Sequence, residues 1–199
     1  MMSARRPTRS LLARIVTEAL APAWIATALL VAVAIRAAPT PAEAIRWGVV
    51  SALFASVLPF LYVVYEVRRR RVTDRHVSVR TQRPVPMLIA AGSILLGVAI
   101  LVLGGAPRAL VALVVAMLAG VLVTLVITLR WKISVHSATL AGAVVIVVLV
   151  FGIPFLPLVA LCALVGWARV EVGAHTPRQV VIGEAVGAVI AGAVFTALR

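Results

Sequence analysis

The chain contains three histidines, and each lies in a polar break between long apolar runs. Arginine or serine accompanies every one of them. Guanidinium groups bind phosphoryl oxygens in a forked geometry, and an imidazole can attack phosphorus or carry a proton. The combination therefore indicates phosphoryl transfer. The residues concerned are His76 with Arg75 and Arg83, His136 with Ser134, and His175 with Arg169.

Two other interpretations of these residues remain open. Three imidazoles also suit a zinc ion, but the neighbouring arginines disfavour a dication, so we expect no metal and no other cofactor. Alternatively, the stretch from Arg169 to Gln179 is an interfacial loop between two membrane helices, and its arginines face lipid headgroups.

The elements that position these residues are membrane helices. Apolar residues make up 63% of the 199 residues, and the mean hydropathy is +1.16. This composition predicts an all-α, polytopic transmembrane bundle of about six to seven segments, forming a single domain over residues 1–199. We expect segments near 20–35, 47–67, 85–103, 109–129 and 180–198, with two more between 137 and 168.

The region between His136 and Arg169 is short for two crossings. It leaves about 16 residues for each, against the roughly 20 that a membrane helix usually needs, so the sequence predicts a thin or partly re-entrant hairpin here. The last segment carries Gly183, Gly187, Ala191 and Gly192, which favour close helix packing. Cys162 is alone within an apolar run, where we expect a small buried side chain.

The basic residues are distributed unevenly across the predicted segments. With seven segments, 15 of the 19 lysines and arginines fall on the side of the N-terminus, as do all three histidines. The positive-inside rule places that side, and with it the candidate site, in the cytoplasm. The formal charge of +13 then reflects topology and anionic headgroups, so we expect no nucleic-acid partner. The Arg-rich, Lys-poor composition suggests a bacterial plasma membrane protein.

Around the third histidine the sequence resembles a known family. Arg169, five intervening residues, His175 and then Gln179 resemble the third signature of the type 2 phosphatidic acid phosphatase superfamily, which commonly ends in Asp. The His-Thr-x-x-Gln ending is similar to that of the dolichyl diphosphatase branch. His136 resembles the histidine of the second signature, and Arg83 with the following proline resembles the end of the first.

The resemblance covers about residues 76–190 and implies a metal-independent lipid phosphatase. In this interpretation His175 is the nucleophile that forms a phosphohistidine, and Gln179 forms a hydrogen bond that fixes its tautomer. His136 is the general acid for the leaving alkoxide and later the base for water. The expected partners are a prenyl-type or phosphatidyl-type lipid phosphate and membrane lipids, with no expectation for oligomeric state. The phosphate-binding residues implied are Arg83, Arg169 and Ser134, helped by Arg75 or His76.

Departures from the family pattern keep an alternative function open. His76 stands where the first signature has a lysine, and Ile133 and Val135 replace the proline and glycine of the second. The alternative is a catalytically weak or inactive member that binds lipid phosphates or a membrane partner. A transporter is disfavoured because ionisable residues are almost absent from the predicted mid-membrane region.

Overall fold

A computed structural model describes residues 11–199 as a bundle of α-helices, with no strand in that range. Six helical stretches are long and apolar enough to cross a membrane, and α7 is a shorter apolar helix of 17 residues. The predicted all-α bundle of six to seven membrane segments is confirmed. The helices are α1 Leu11–Ala19, α2 Pro22–Ala37, α3 Pro41–Ala52, α4 Leu58–Arg68, α5 Pro84–Leu103, α6 Arg108–Arg130, α7 Val135–Phe151, α8 Ala160–Glu171 and α9 Pro177–Leu198.

The first membrane segment is two helices rather than one, because the chain breaks between α1 and α2. Pro22 lacks an N–H and disfavours helical backbone in the residue before it, and Ala21 is extended. Sequence analysis missed α1, since Arg14 and Glu18 interrupt its apolar residues. The buried side of α1 packs on α8. This packing brings Glu18 to the end of the bundle where the histidines lie.

A π-helical turn over Leu53–Val57 joins α3 to α4 within the second segment. Pro59 follows it and cannot donate a backbone hydrogen bond, which accounts for the irregular turn. The hydroxyl of Ser56 in this turn donates to the Ala23 carbonyl of α2 at 2.9 Å and accepts from Thr27 at 2.9 Å. Hydrogen bonds from the π-helical turn therefore connect the second membrane segment to the first.

The helix α7 and the element that follows it form the short hairpin. Seventeen residues of α7 span about 25 Å, less than the roughly 30 Å of a bilayer core. Gly152 has a φ of +100°, which glycine adopts without strain, and the chain turns there into a 3-10 helix over Ile153–Val159. That 3-10 helix continues into α8. Of the two short segments that the sequence predicts here, α7 is short, whereas the 3-10 helix and α8 together form a stretch of 19 residues, Ile153–Glu171, long and apolar enough to cross a membrane.

The closest packing in the bundle is between α7 and α9, and it depends on glycine. A Cβ atom at Gly187 would overlap the backbone of Ala138, and one at Gly183 would lie 2.7 Å from the Ser134 carbonyl oxygen. The predicted use of small residues for helix packing is confirmed at these positions. Since α7 carries His136 and α9 follows His175, this contact fixes the distance between the two histidines.

We expect Gly187→Ala to lower the thermal unfolding midpoint of the detergent-solubilised protein clearly, because α7 and α9 must separate to admit the methyl group. Overpacking of this kind costs about 1–3 kcal/mol. Gly192→Ala is the control on the same helix, since its Cβ would meet Val145 at an ordinary 3.4 Å. Equal midpoints for the two variants would contradict the account of this interface.

Candidate active site

One end of the bundle collects three helix N-termini. The helices α5, α7 and α9 begin there, capped by Arg83, Ser134 and Thr176. Unpaired N–H groups and the aligned peptide dipoles make such ends favourable for anions. The loop between α4 and α5 and the end of α8 complete this end of the bundle, and together these elements carry the three histidines.

The spacing between Arg169 and His175 has a local structural cause. Arg169 lies in the last turn of α8, and its carbonyl oxygen accepts hydrogen bonds from the N–H groups of Ala174 at 3.1 Å and His175 at 3.2 Å. Gly173 has a φ of +67°, which allows the chain to fold back over the helix end. The five intervening residues therefore form the turn that returns the imidazole of His175 to α8, the helix that carries Arg169.

Arg83 is held rigidly and contacts His175. Its guanidinium donates to the carbonyl oxygens of Val77 at 2.9 Å and Ile133 at 2.8 Å, and its third nitrogen lies 3.5 Å from His175 Nε2. The residue is only 4% exposed. A guanidinium has donors and no acceptor, so in the tautomer that makes this contact a hydrogen bond His175 accepts through the Nε2 lone pair. That lone pair is what a nucleophilic imidazole uses.

Arg169 is the most unusual group of the site. It is 2% exposed, and within residues 11–199 its side chain has no hydrogen bond or ion pair; its buried Nε has no partner. Arg83 likewise has no salt bridge in that range, although the two charges are close enough to repel each other. The carboxylate of Asp74 attracts both cations and that of Glu18 attracts Arg169, but neither forms an ion pair with them. Burying cations without a directly paired counterion is costly, so the two arginines indicate a binding site for an anion.

Asp74 organises the loop that carries His76 and leads to Arg83. One carboxylate oxygen accepts from the His76 N–H at 2.9 Å and the Ser78 hydroxyl at 3.1 Å, and the other accepts from the Ser78 N–H at 3.2 Å. Burial by itself would raise the pKa of Asp74, but these hydrogen bonds outweigh it and lower the pKa below its usual value. Asp74 is thus ionised, and its carboxylate is bound by hydrogen bonds from its own loop.

His76 and His136 form a second pair of rings at this end of the bundle. Their centroids are 5.0 Å apart in an edge-on arrangement, and the Nε2 of His136 is buried without a partner. Glu18 of α1 lies 2.9 Å from His76 Nε2 and 3.5 Å from Arg75, whose side chain is 57% exposed. His76 therefore contacts the carboxylate of Glu18 on one side and lies beside His136, the candidate proton donor, on the other.

The electrostatics of the site keep His175 neutral. Burial, followed by the charges of Arg169 and Arg83 and by that of Lys132, lowers the pKa of His175 from 6.5 to about 3. Burial also lowers the pKa of Lys132, and the two arginines act in the same direction. A neutral imidazole with an available lone pair is the form that attacks phosphorus.

The low pKa of His175 predicts a pH dependence of stability. The unfolded chain takes up this proton near pH 6.5 and the folded protein only near pH 3, so the stabilisation is complete above about pH 6.5 and is lost as the pH falls towards 3. Between about pH 7 and pH 4, the unfolding midpoint should fall more steeply for the natural protein than for His175→Asn. Parallel curves for the two proteins would contradict the assignment.

An apolar cavity of about 350 Å³ opens at His76 and His136 and runs into the bundle. Its polar mouth includes Arg83 and His136, whereas Arg169 and His175 lie outside its lining. The deeper walls come from α2, α5, α6, α7 and α9. From its mouth at Arg83 and His136, the cavity therefore extends into the bundle and away from Arg169. The remaining residues at the mouth are Glu18, Arg75 and His76.

Two residues predicted for the site are engaged elsewhere. The Gln179 side-chain oxygen accepts the Thr176 N–H at 3.2 Å in a capping box, and His175 Nδ1 has no hydrogen-bond partner. The expected hydrogen bond between Gln179 and His175 is thus absent from this structure. The Ser134 hydroxyl is fully buried 2.9 Å from that of Ser137, at the cap of α7. Both residues position helices beside the site.

Asp74 and Glu18 are the site-forming residues that sequence reasoning missed. Asp74 is followed four residues later by Ser78, a spacing typical of a carboxylate that binds its own loop. That signal was available in the sequence. No local pattern connects Glu18 with His76, which is 58 residues away.

Comparison of the chain with protein-family models, curated proteins and solved structures found no match.

Proposed function

We propose that this chain is an integral membrane lipid phosphatase that hydrolyses a phosphomonoester or diphosphate through a phosphohistidine at His175. The observation that carries the proposal is the buried guanidinium of Arg169, without a partner in the described chain, close to Arg83 and to a neutral His175. A phosphate group would neutralise the two cations and place phosphorus beside the Nε2 lone pair.

The chemical steps use only residues of the site. Nε2 of His175 attacks phosphorus, and the bond from phosphorus to the ester oxygen breaks. His136 gives its proton to the departing oxygen, then accepts one from the water that attacks the phosphohistidine. His136 lies close to the positive charges of Arg169 and Arg83. A bound phosphate dianion reverses that field, so the acid is formed when substrate is present.

A lipid substrate is favoured by where the site lies. The candidate leaving-group donor, His136, borders the apolar cavity, so the alcohol portion of the ester would extend into the bundle. Between α2 and α4 the wall of this cavity includes Trp24 and Phe60, whose ring centroids are 6.3 Å apart. These two rings are in contact with each other, so we place lateral entry of the substrate beside them and not between them. We place the site on the cytoplasmic face of a bacterial plasma membrane, following the positive-inside rule.

A second function is favoured by one observation. His175 Nδ1 is buried without a hydrogen-bond partner, because Gln179 is held in its capping box. Without a group to orient the imidazole and stabilise its positive charge, the site would bind lipid phosphates and turn them over slowly or not at all. A lipid-phosphate-binding membrane protein is therefore the alternative to an efficient phosphatase.

The test is phosphate release by the detergent-purified protein from phosphatidic acid, phosphatidylglycerol phosphate, a prenyl phosphate and a prenyl diphosphate. We expect release from at least one of them, unchanged by a metal chelator. A folded, monodisperse protein that releases no phosphate from any of the four would contradict the phosphatase and favour the binding protein. Release that the chelator abolishes would contradict the histidine mechanism.

A further inference from the structure

The apolar cavity has a defined depth. Along α7 its lining runs from His136 to Ile146, ten residues that correspond to about 15 Å. Ile146 and, on the neighbouring helices, Leu113 and Ile94 are buried core residues that line its deeper part. Since a bilayer core is roughly 30 Å thick, the cavity extends from the polar site to about the middle of the membrane.

The cavity exists because many of the residues around it have small side chains or none. Alanine or glycine residues of five helices, α2, α5, α6, α7 and α9, line it, and at Gly120 of α6 a Cβ atom would meet nothing within 4 Å. The hydroxyl groups of Ser56 and Thr124 in its wall donate to backbone carbonyls, at 2.9 and 2.7 Å. Thr139, one turn below His136, also lines the cavity, and its hydroxyl makes no hydrogen bond among the described residues. Deeper than Thr139 the cavity therefore suits an occupant without hydrogen-bonding groups.

The volume of the cavity suits one hydrocarbon chain rather than two. About 350 Å³ is near the lower end of the roughly 300–1,000 Å³ of pockets that hold drug-sized molecules. That is room for one hydrocarbon chain of moderate length. The basic and imidazole groups at the mouth then meet the phosphate end of the same molecule.

We propose that this cavity binds a single hydrocarbon chain of the substrate and that the free space at Gly120 sets how well a long chain is accepted. The inference rests on the proposed function, because the chain is joined to the phosphate through the oxygen that leaves at His136. It assigns the enzyme to single-chain alkyl or prenyl phosphates rather than to lipids with two acyl chains.

Gly120→Leu would fill the cavity without a backbone clash, and leucine favours a helix more than glycine does. The assay compares dodecyl phosphate with butyl phosphate. The ratio of their kcat/KM values should fall about 10- to 100-fold in the variant, the rate equivalent of overpacking an occupied pocket. Gly92→Leu is the matched control: its Cβ would also meet nothing, but it is exposed on α5 outside the cavity, and both kcat/KM values should stay unchanged.

Photolabelling tests binding of the hydrocarbon chain independently of catalysis. A dodecyl phosphate with a photoreactive group at the end of its chain should label the deep wall, at Met117 or Leu113, in the natural protein and not in Gly120→Leu. Labelling without phosphate release would contradict the phosphatase and leave the chain site standing. Unchanged labelling and an unchanged kcat/KM ratio in Gly120→Leu, or labelling only on the outer surface, would overturn the chain site.

Discussion

His175→Ala should abolish phosphate release by the purified protein. The substitution removes the only imidazole that contacts Arg83 through a ring nitrogen in the described chain, and with it the proposed covalent intermediate. Loss of a nucleophile leaves only binding and electrostatic stabilisation, so we expect a decrease of about 10³-fold or more in kcat. The measurement is the rate of phosphate release at saturating lipid phosphate, with folding monitored by the unfolding midpoint.

Arg178→Ala is the control for this experiment. Arg178 lies in the first turn of α9, three residues after His175, and its side chain is exposed. Its removal should leave the rate within about twofold, since an exposed charge outside the site contributes little. A folded His175→Ala protein that keeps more than a few per cent of the activity would exclude the phosphohistidine route.

Arg169→Met should change activity and stability in opposite directions. Methionine fills similar space without charge, so the variant no longer buries a cation that lacks an ion pair beside Arg83. Replacing buried charges with apolar groups stabilises proteins by about 1–4 kcal/mol in favourable cases. Loss of a charged donor to the transferring phosphoryl group should lower kcat/KM by about 10²–10³-fold.

Both effects are measurable on one preparation, by denaturation in detergent and by phosphate release. Arg178→Met serves as the exposed counterpart and should leave both quantities nearly unchanged. An Arg169→Met protein less stable than the natural protein would show that Arg169 is stabilised by its neighbours, and would contradict a phosphate-binding role at this position. A stabilised variant with full activity would equally contradict its proposed role.

The helical framework was predictable because a bilayer imposes strong constraints on sequence. Each crossing must be long and apolar, so most of the segments could be located from hydropathy alone. The ends of the elements were harder. The beginning of α1 was hidden by Arg14 and Glu18, and the π-helical turn before Pro59 depends on how the second segment meets α2.

The site was predictable in part, for a different reason. Arg169 and His175 are joined by a local turn, so their spacing carries the geometry that brings them together. The contact of Glu18 with His76 has no such local origin, whereas that of Gln179 with Thr176, three residues before it, is local. Gln179 had two possible partners within reach, the backbone of Thr176 and the ring of His175, and its position at the third residue of α9 favours the capping box.

The most direct test of the central claim is to look for the covalent intermediate. The protein is mixed with a lipid phosphate, denatured rapidly at alkaline pH and analysed by mass spectrometry of its peptides. A phosphoryl group on His175, absent after reaction of His175→Ala, is the result that we predict. Turnover that continues while His175 remains unmodified, or a phosphoryl group on another residue, would contradict the mechanism.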